Sequence, residues 1–282
     1  MAAPAAAGLL AFVLLPFLAA VGLSFTDLRL VSPVPAHFVG GEEYRRVLAD
    51  PLFRRAVANN LRFAAAVVPL QTGLALLLAL ALRPRLPGRG LARALFFLPV
   101  LLPMALVAVV WGLLLAPGPG GAVNALLAAA TFGAWTPRDF LHDPAWALPA
   151  IVLLSVWQGV GFQMVVLLAG LERIPASLYE AARVDGAGPW GRFRHVTLPG
   201  LAGPLAFVVL ATTLLALRLF DQVQILTRGG PRGATTTVVY EAVVAAFERG
   251  EVGRGAAMTV LFCCAAALLA AAQHRLLAGR GR

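Results

Sequence analysis

Six apolar runs, each long enough to cross a bilayer, dominate this chain: approximately Ala5–Phe25, Leu61–Leu82, Ala94–Leu115, Leu148–Leu168, Leu201–Leu219 and Ala256–Ala272. A hydrocarbon core takes about 20 residues of helix, and lipid offers no partner to a bare N–H or C=O. Sixty per cent apolar and 13% charged residues over 282 positions place the chain in the membrane class. The first run lacks a basic leader region and is long enough to span, so it is expected as a span and not a signal peptide. The expected fold is an all-α membrane protein with six transmembrane helices in one domain, 1–282.

Arginines in the short loops set the orientation. The loop between spans two and three holds Arg83, Arg85, Arg89 and Arg93 with no acid, and the C-terminal stretch holds Arg275, Arg280 and Arg282. With six spans these fall on one side, together with both termini and a polar segment around Glu180. That side is expected to be cytoplasmic. The longer stretches Leu28–Asn60 and Ala116–Ala147, with mixed charges, are expected outside, and Gly121–Phe132 as a short interfacial helix. Val238–Phe247 is expected as another outer-surface helix. Pro69, Pro99 and Pro103 fall within spans two and three, where they read as ordinary helix bending or as kinks that help a permeation path open.

A formal net charge of +10 does not argue for nucleic acid, because the arginines flank spans and no soluble domain carries a basic stripe. All 23 basic residues are arginine. A phosphate-binding loop needs its lysine, so any ATP hydrolysis that powers this chain belongs to another subunit. Cys263 and Cys264 are neighbours, which bond only with strain, and they read as apolar filler. No catalytic set, metal framework or cofactor motif is present. The four histidines, His37, His142, His195 and His274, avoid span centres, which argues against a haem protein, and Ser155 has no base for a protease.

The polar segment between spans four and five is the most ordered feature. Pro175 can open a helix at its first turn, Leu178, Ala181 and Ala182 share one face, and Asp185-Gly186 supplies a left-handed stop. A second helix, roughly Trp190 to Val196, follows, and Leu198-Pro199 would start the next span. Glu180-Ala181-Ala182, three residues, Gly186, nine residues, Val196, then Leu198-Pro199 resembles the EAA loop of binding-protein-dependent ABC importer permeases, with Val196 where the family usually has Ile. Leu178-Tyr179-Glu180 with Asp185-Gly186-Ala187 is similar to the carbohydrate-uptake branch that includes maltose and glycerol-3-phosphate permeases. So are Phe220-Asp221-Gln222 leading to Thr227-Arg228-Gly229-Gly230-Pro231, and Leu23-Ser24-Phe25-Thr26-Asp27 with Phe38-Val39-Gly40.

The resemblance implies the type I ABC importer permease fold in a bacterial inner membrane, with residues 172–199 as a cytoplasmic coupling loop. Glu180, Ala181, Ala182, Asp185, Gly186, Leu198 and Pro199 would couple to an ATPase dimer. A second homologous permease and an extracytoplasmic solute-binding protein would complete the assembly, and the solute would be a carbohydrate or related polyol phosphate. In span four, Ser155, Gln158, Gly159 and Phe162 fall at i, i+3, i+4 and i+7 on one face. They read either as glue between helices or, by the resemblance, as substrate contacts. Gln71 and Thr72 in span two are weaker candidates. Arg218 and Asp221 could pair on one helix face, and Asp221, an ionisable group near a span end, is a further candidate. The rival class is an ion-gradient secondary transporter, but spans one to four and six carry no interior acid.

Overall fold

The computed structural model describes residues 3–32, 35–83 and 88–278. Arg85, Arg280 and Arg282 lie outside them. Among the described residues, four helices are long and apolar enough to cross a membrane: Pro4–Leu23, Pro51–Ala81, Ala147–Glu172 and Val252–Gln273. Two bent pairs, Arg89–Leu101 with Met104–Leu114 and Pro189–Gly200 with Ala202–Leu217, bring the number to six. These are spans one to six in chain order, with the name span five kept for Ala202–Leu217 and Pro189–Gly200 as the helix leading into it. The end of the bundle bearing the loop between spans four and five is called the near end below, and the opposite one the far end.

Span four is the hub, with 61% of its apolar window buried inside the chain, whereas span one has 0%. Span two lies along it through two layers. At the far end Phe63 and Val67 meet Ile151, Val152 and Val156, joined by Ala216 of span five. At the near end Ala75 and Ala79 meet Val160, Met164, Leu167 and Leu171, joined by Leu201 and Val208. Small residues set the close approaches. A Cβ on Gly161 would stand 2.0 Å from the carbonyl oxygen of Phe96, and one on Gly170 would stand 2.7 Å from Pro204 Cγ. Span one turns Leu9, Phe12 and Leu15 outward, as a lipid-facing helix does.

Three expectations need correction. Span two begins ten residues before Leu61, because Asp50 caps it by accepting the Leu52 N–H at 2.8 Å and Pro51 occupies the first turn. Span three does not merely bend: its halves meet at 100°, with Leu102 and Pro103 extended between them. Pro103 lacks an N–H, and the residue before a proline is pushed out of the helical region. Finally, Leu198-Pro199 closes the helix Pro189–Gly200 instead of opening span five, which starts at Ala202 after a 67° bend.

The far end is built of short helices, including Glu42–Ala49, Ala122–Ala130 and Val238–Val243, the last continued by a π-turn at Val244–Glu248. The expected outer helices thus form at slightly shifted bounds. Buried amides hold this end together. Asn124 accepts from Trp135 Nε1 at 3.0 Å and from the Arg138 N–H at 2.9 Å. Asn59 donates to the carbonyls of Gly233 and Thr236. Asn60 donates to Leu217 O at 3.0 Å and accepts from the Val238 N–H at 2.9 Å.

Candidate functional site

The residues expected to carry function fall in two places, a helical hairpin at the near end and a cleft between spans two, four and five. In the hairpin, Pro175 stands just outside the helix Ala176–Val184, with ψ 134°. The helix ends in a Schellman turn, in which the Ala187 N–H donates to Ala182 O at 2.8 Å and the Gly186 N–H to Arg183 O at 3.1 Å. Gly186 takes φ +77°, the left-handed conformation in which a side chain is disfavoured. Gly188 then leads into Pro189–Gly200, with Pro189 in its first turn.

The hairpin is presented to water. Glu180, Ala181 and Asp185 are exposed and Ala182 is half-buried, and none of Glu180, Arg183 and Asp185 forms an ion pair among the described residues. Exposed Leu178 and Val184 on the first helix and Trp190 on the second add apolar surface, and Trp190 stacks on Phe193 at 5.3 Å. The face turned to the bundle is Tyr179 with Ala182, while Leu178 and Ala181 are exposed. The hairpin is therefore a surface of mixed charge and apolar groups, with Glu180, Arg183 and Asp185 left without an ion pair among the described residues. Such a surface suits a protein partner with an acceptor cleft.

The cleft, of about 330 Å³, is lined by Ser155, Gln158 and Gly159 of span four, Gln71 of span two, Thr212 of span five and, beyond it, Gln222. Ser155 Oγ donates to Ile151 O at 2.8 Å and accepts from Gln222 Nε2 at 3.4 Å. Gln158 Nε2 donates to Leu102 O at 3.3 Å, pairing the carbonyl at the break of span three. Non-helical backbone at membrane depth requires such a partner. Gly159 seats the Gln71 amide, since a Cβ there would fall 2.5 Å from Gln71 Nε2. Phe162 is exposed and does not line the cleft. Gln163, on the flanking face, is buried and donates to Thr212 Oγ1.

Arg218 and Asp221 both line the cleft, and both are exposed. They do not share a helix face. Span five ends at Leu217, Phe220 takes φ −139°, and Asp221 opens a separate helix, Asp221–Leu226. Neither side chain has an ion-pair partner among the described residues. Each complements a helix end, the arginine at a C-terminus and the aspartate at an N-terminus. Sequence reasoning missed Thr212 and Gln222 as cleft groups. The available signal was polar residues recurring at one depth in three different spans.

Residues 71–280 match the family described as "Binding-protein-dependent transport system inner membrane component". The trehalose/maltose transport system permease protein MalF of Thermococcus litoralis is 36% identical over 89% of this chain and 83% of its own length. The lactose transport system permease protein LacF of Rhizobium radiobacter is 34% identical over 84% of this chain and 78% of its own. Among solved structures, a bacterial alginate ABC transporter in complex with an alginate pentasaccharide-bound periplasmic protein contains a chain that superposes with TM-score 0.85. It is 20% identical, over 99% of this chain and 93% of that one; at that identity the likeness speaks to the fold. Fold, sequence and relatives agree, and the chain belongs to the family of binding-protein-dependent transport system inner membrane components.

Proposed function

We propose that this chain is one of two homologous permease subunits of an ATP-driven carbohydrate importer. The near end, with both termini and loop 172–199, would face the cytoplasm of a bacterial inner membrane, the far end would receive a solute-binding protein, and residues 1–282 would act as one transmembrane domain. The observation that carries this reading is the exposed hairpin Ala176–Gly200, in which Glu180, Arg183 and Asp185 have no ion-pair partner among the described residues. Glu180 would pair with a cation in a cleft of the ATPase. Ala181 and Ala182 would let the helix seat closely, Gly186 would hold the turn, and Leu198-Pro199 would carry the second helix to the bend before span five. ATP binding would close the ATPase dimer, move the docked hairpins and rock the spans around the cleft.

The cleft fits a polyhydroxyl solute. Amides from Gln71, Gln158 and Gln222 and hydroxyls from Ser155 and Thr212 converge from four elements, and sugar hydroxyls both donate and accept. The relatives named for trehalose, maltose and lactose transport support the same class. Substrate contact is assigned to Ser155, Gln158 and Gly159. Phe162 would serve the lipid or the second permease.

The test is to extract the tagged chain from its native membrane in mild detergent and identify what co-purifies, with Glu180→Lys in parallel. Recovery of a second permease and an ATPase, with the ATPase lost in the variant, is the expected result. Recovery of the chain alone in both, under conditions that keep a known importer intact, would return an ion-gradient transporter to first place.

A further inference from the structure

The first helix of the hairpin is nearly detached from the bundle. Ala176–Val184 contains no buried residue; Tyr179 and Ala182, three apart on one face, are half-buried while the other seven are exposed. Of the two, only tyrosine is long enough to reach inward. Its ring packs against the near-end core of Ala75, Ala79, Leu168, Leu171 and Leu201. The guanidinium of Arg83 lies over the ring, with Cζ 4.4 Å from its centroid. The phenolic oxygen is 3.1 Å from Oγ1 of buried Thr197.

These contacts lead to different spans. Arg83 follows the end of span two, and its carbonyl accepts from Arg89 Nη1 at 3.0 Å, where the first half of span three begins. Thr197 lies in the helix that bends at Leu201 into span five, and its carbonyl accepts the Leu201 N–H at 3.0 Å. The covalent links are poorer conductors of motion. Behind the helix is the left-handed turn at Gly186 followed by Gly188, and before it is the extended residue Pro175. Coupling between distant sites travels through packed contacts with discrete arrangements.

We propose that Tyr179 is the positioning residue through which a displacement of the first coupling helix reaches spans two, three and five. The proposal rests on the reading of the hairpin as an ATPase dock. The ring carries motion to Arg83 and the hydroxyl carries it to Thr197, so the two branches are separable by substitution.

The test uses the intact importer in proteoliposomes, with Cys263→Ser, Cys264→Ser and a reporter Met104→Cys, Met104 being the first residue of the second half of span three and part of the cleft lining. The probe is ATP with vanadate, and the readout is the change in maleimide labelling rate at the reporter on nucleotide trapping. With Tyr179 present, trapping changes the rate. Tyr179→Leu is expected to shrink that change roughly fivefold or more while the ATPase still co-purifies and traps nucleotide. Tyr179→Phe, which keeps the ring under Arg83, should restore part of the response. Should the Leu variant not accumulate, Arg83→Gln removes the stack from the other side and should shrink the change as well. An undiminished response in Tyr179→Leu or Arg83→Gln overturns the proposal, as does the absence of any response with Tyr179 in place. An unmodified chain that retains no ATPase defeats the dock reading itself, and the relay with it.

Discussion

Gly159 and Gly161 sit two residues apart in span four, and their replacement by alanine should have opposite consequences. At Gly161 the new Cβ would stand 2.0 Å from Phe96 O and 2.7 Å from Phe96 C. A carbon ordinarily approaches a carbonyl oxygen to about 3.3 Å, so span four and the first half of span three must part by about 1 Å. Both atoms met are backbone, and no rotamer change relieves the clash. Overpacking costs about 1–3 kcal/mol; with backbone against backbone the upper end applies. Alanine's better helix propensity returns about 1 kcal/mol, leaving a net loss of about 2 kcal/mol. At about 2–4 °C per kcal/mol for a chain of this size, the apparent melting temperature should fall by roughly 4–8 °C. At Gly159 the clash is with the end of the Gln71 side chain, which can rotate away. Gly159→Ala should therefore melt within about 2 °C of the parent, while shifting an amide in the cleft and slowing transport. The assay is thermal unfolding of each purified chain in one detergent at one scan rate, since membrane proteins often unfold irreversibly. A Gly161→Ala variant as stable as the parent, or a larger loss at Gly159, would refute the reasoning.

Gly186 has φ +77° and nothing within 4 Å of a Cβ, so substitution there acts through the backbone alone. Gly186→Val should strain the turn by about 1–2 kcal/mol and uncouple transport, whereas Gly186→Asn should be tolerated; unchanged uptake with valine would count against this. Asn60→Ala strands the Leu217 carbonyl and the Val238 N–H. It should cost about 2–5 kcal/mol, a larger melting shift than Gly161→Ala. Burial pushes the Asp139 carboxyl upward, but the His142 side chain and the His142 and Leu141 N–H groups outweigh it and hold the carboxyl below the usual range. A depressed folded pKa gives stability that is present above the unfolded value and lost as pH falls through the folded one. The protection of the Leu141 and His142 N–H groups, taken relative to the intrinsic exchange rate at each pH, should therefore fall on acidification, by under about 1 kcal/mol of opening free energy for so exposed a group, and Asp139→Asn should abolish the dependence.

Hydropathy located the middle of every span because lipid-facing and core-facing groups are alike apolar. It failed where polar groups are paired by distant parts of the chain. Arg54, Arg55, Asn59 and Asn60 masked ten residues of span two, yet Arg54 bonds the carbonyls of Leu48 and Ala49, and the asparagines bond partners more than 150 residues away. The hairpin's turn was readable because Asp-Gly has a local meaning. The cleft was half readable: spacing along span four placed Ser155, Gln158 and Gly159 together, but helical spacing alone could not say that Phe162 turns away. The pairing expected of Arg218 with Asp221 assumed a continuous helix, and the backbone at Phe220 interrupts it.

The two asparagines of span two also set a timetable. Asn60 waits for Leu217 and Val238, 157 and 178 positions later in the chain. At about 5–20 residues per second of synthesis, span two stands in the bilayer for on the order of 10–30 s before its amides meet their partners. A ribosome that stalls before Val238 leaves behind a nascent chain with a bare amide pair in or beside lipid, an early mark by which quality control could tell an unfinished copy from a finished one.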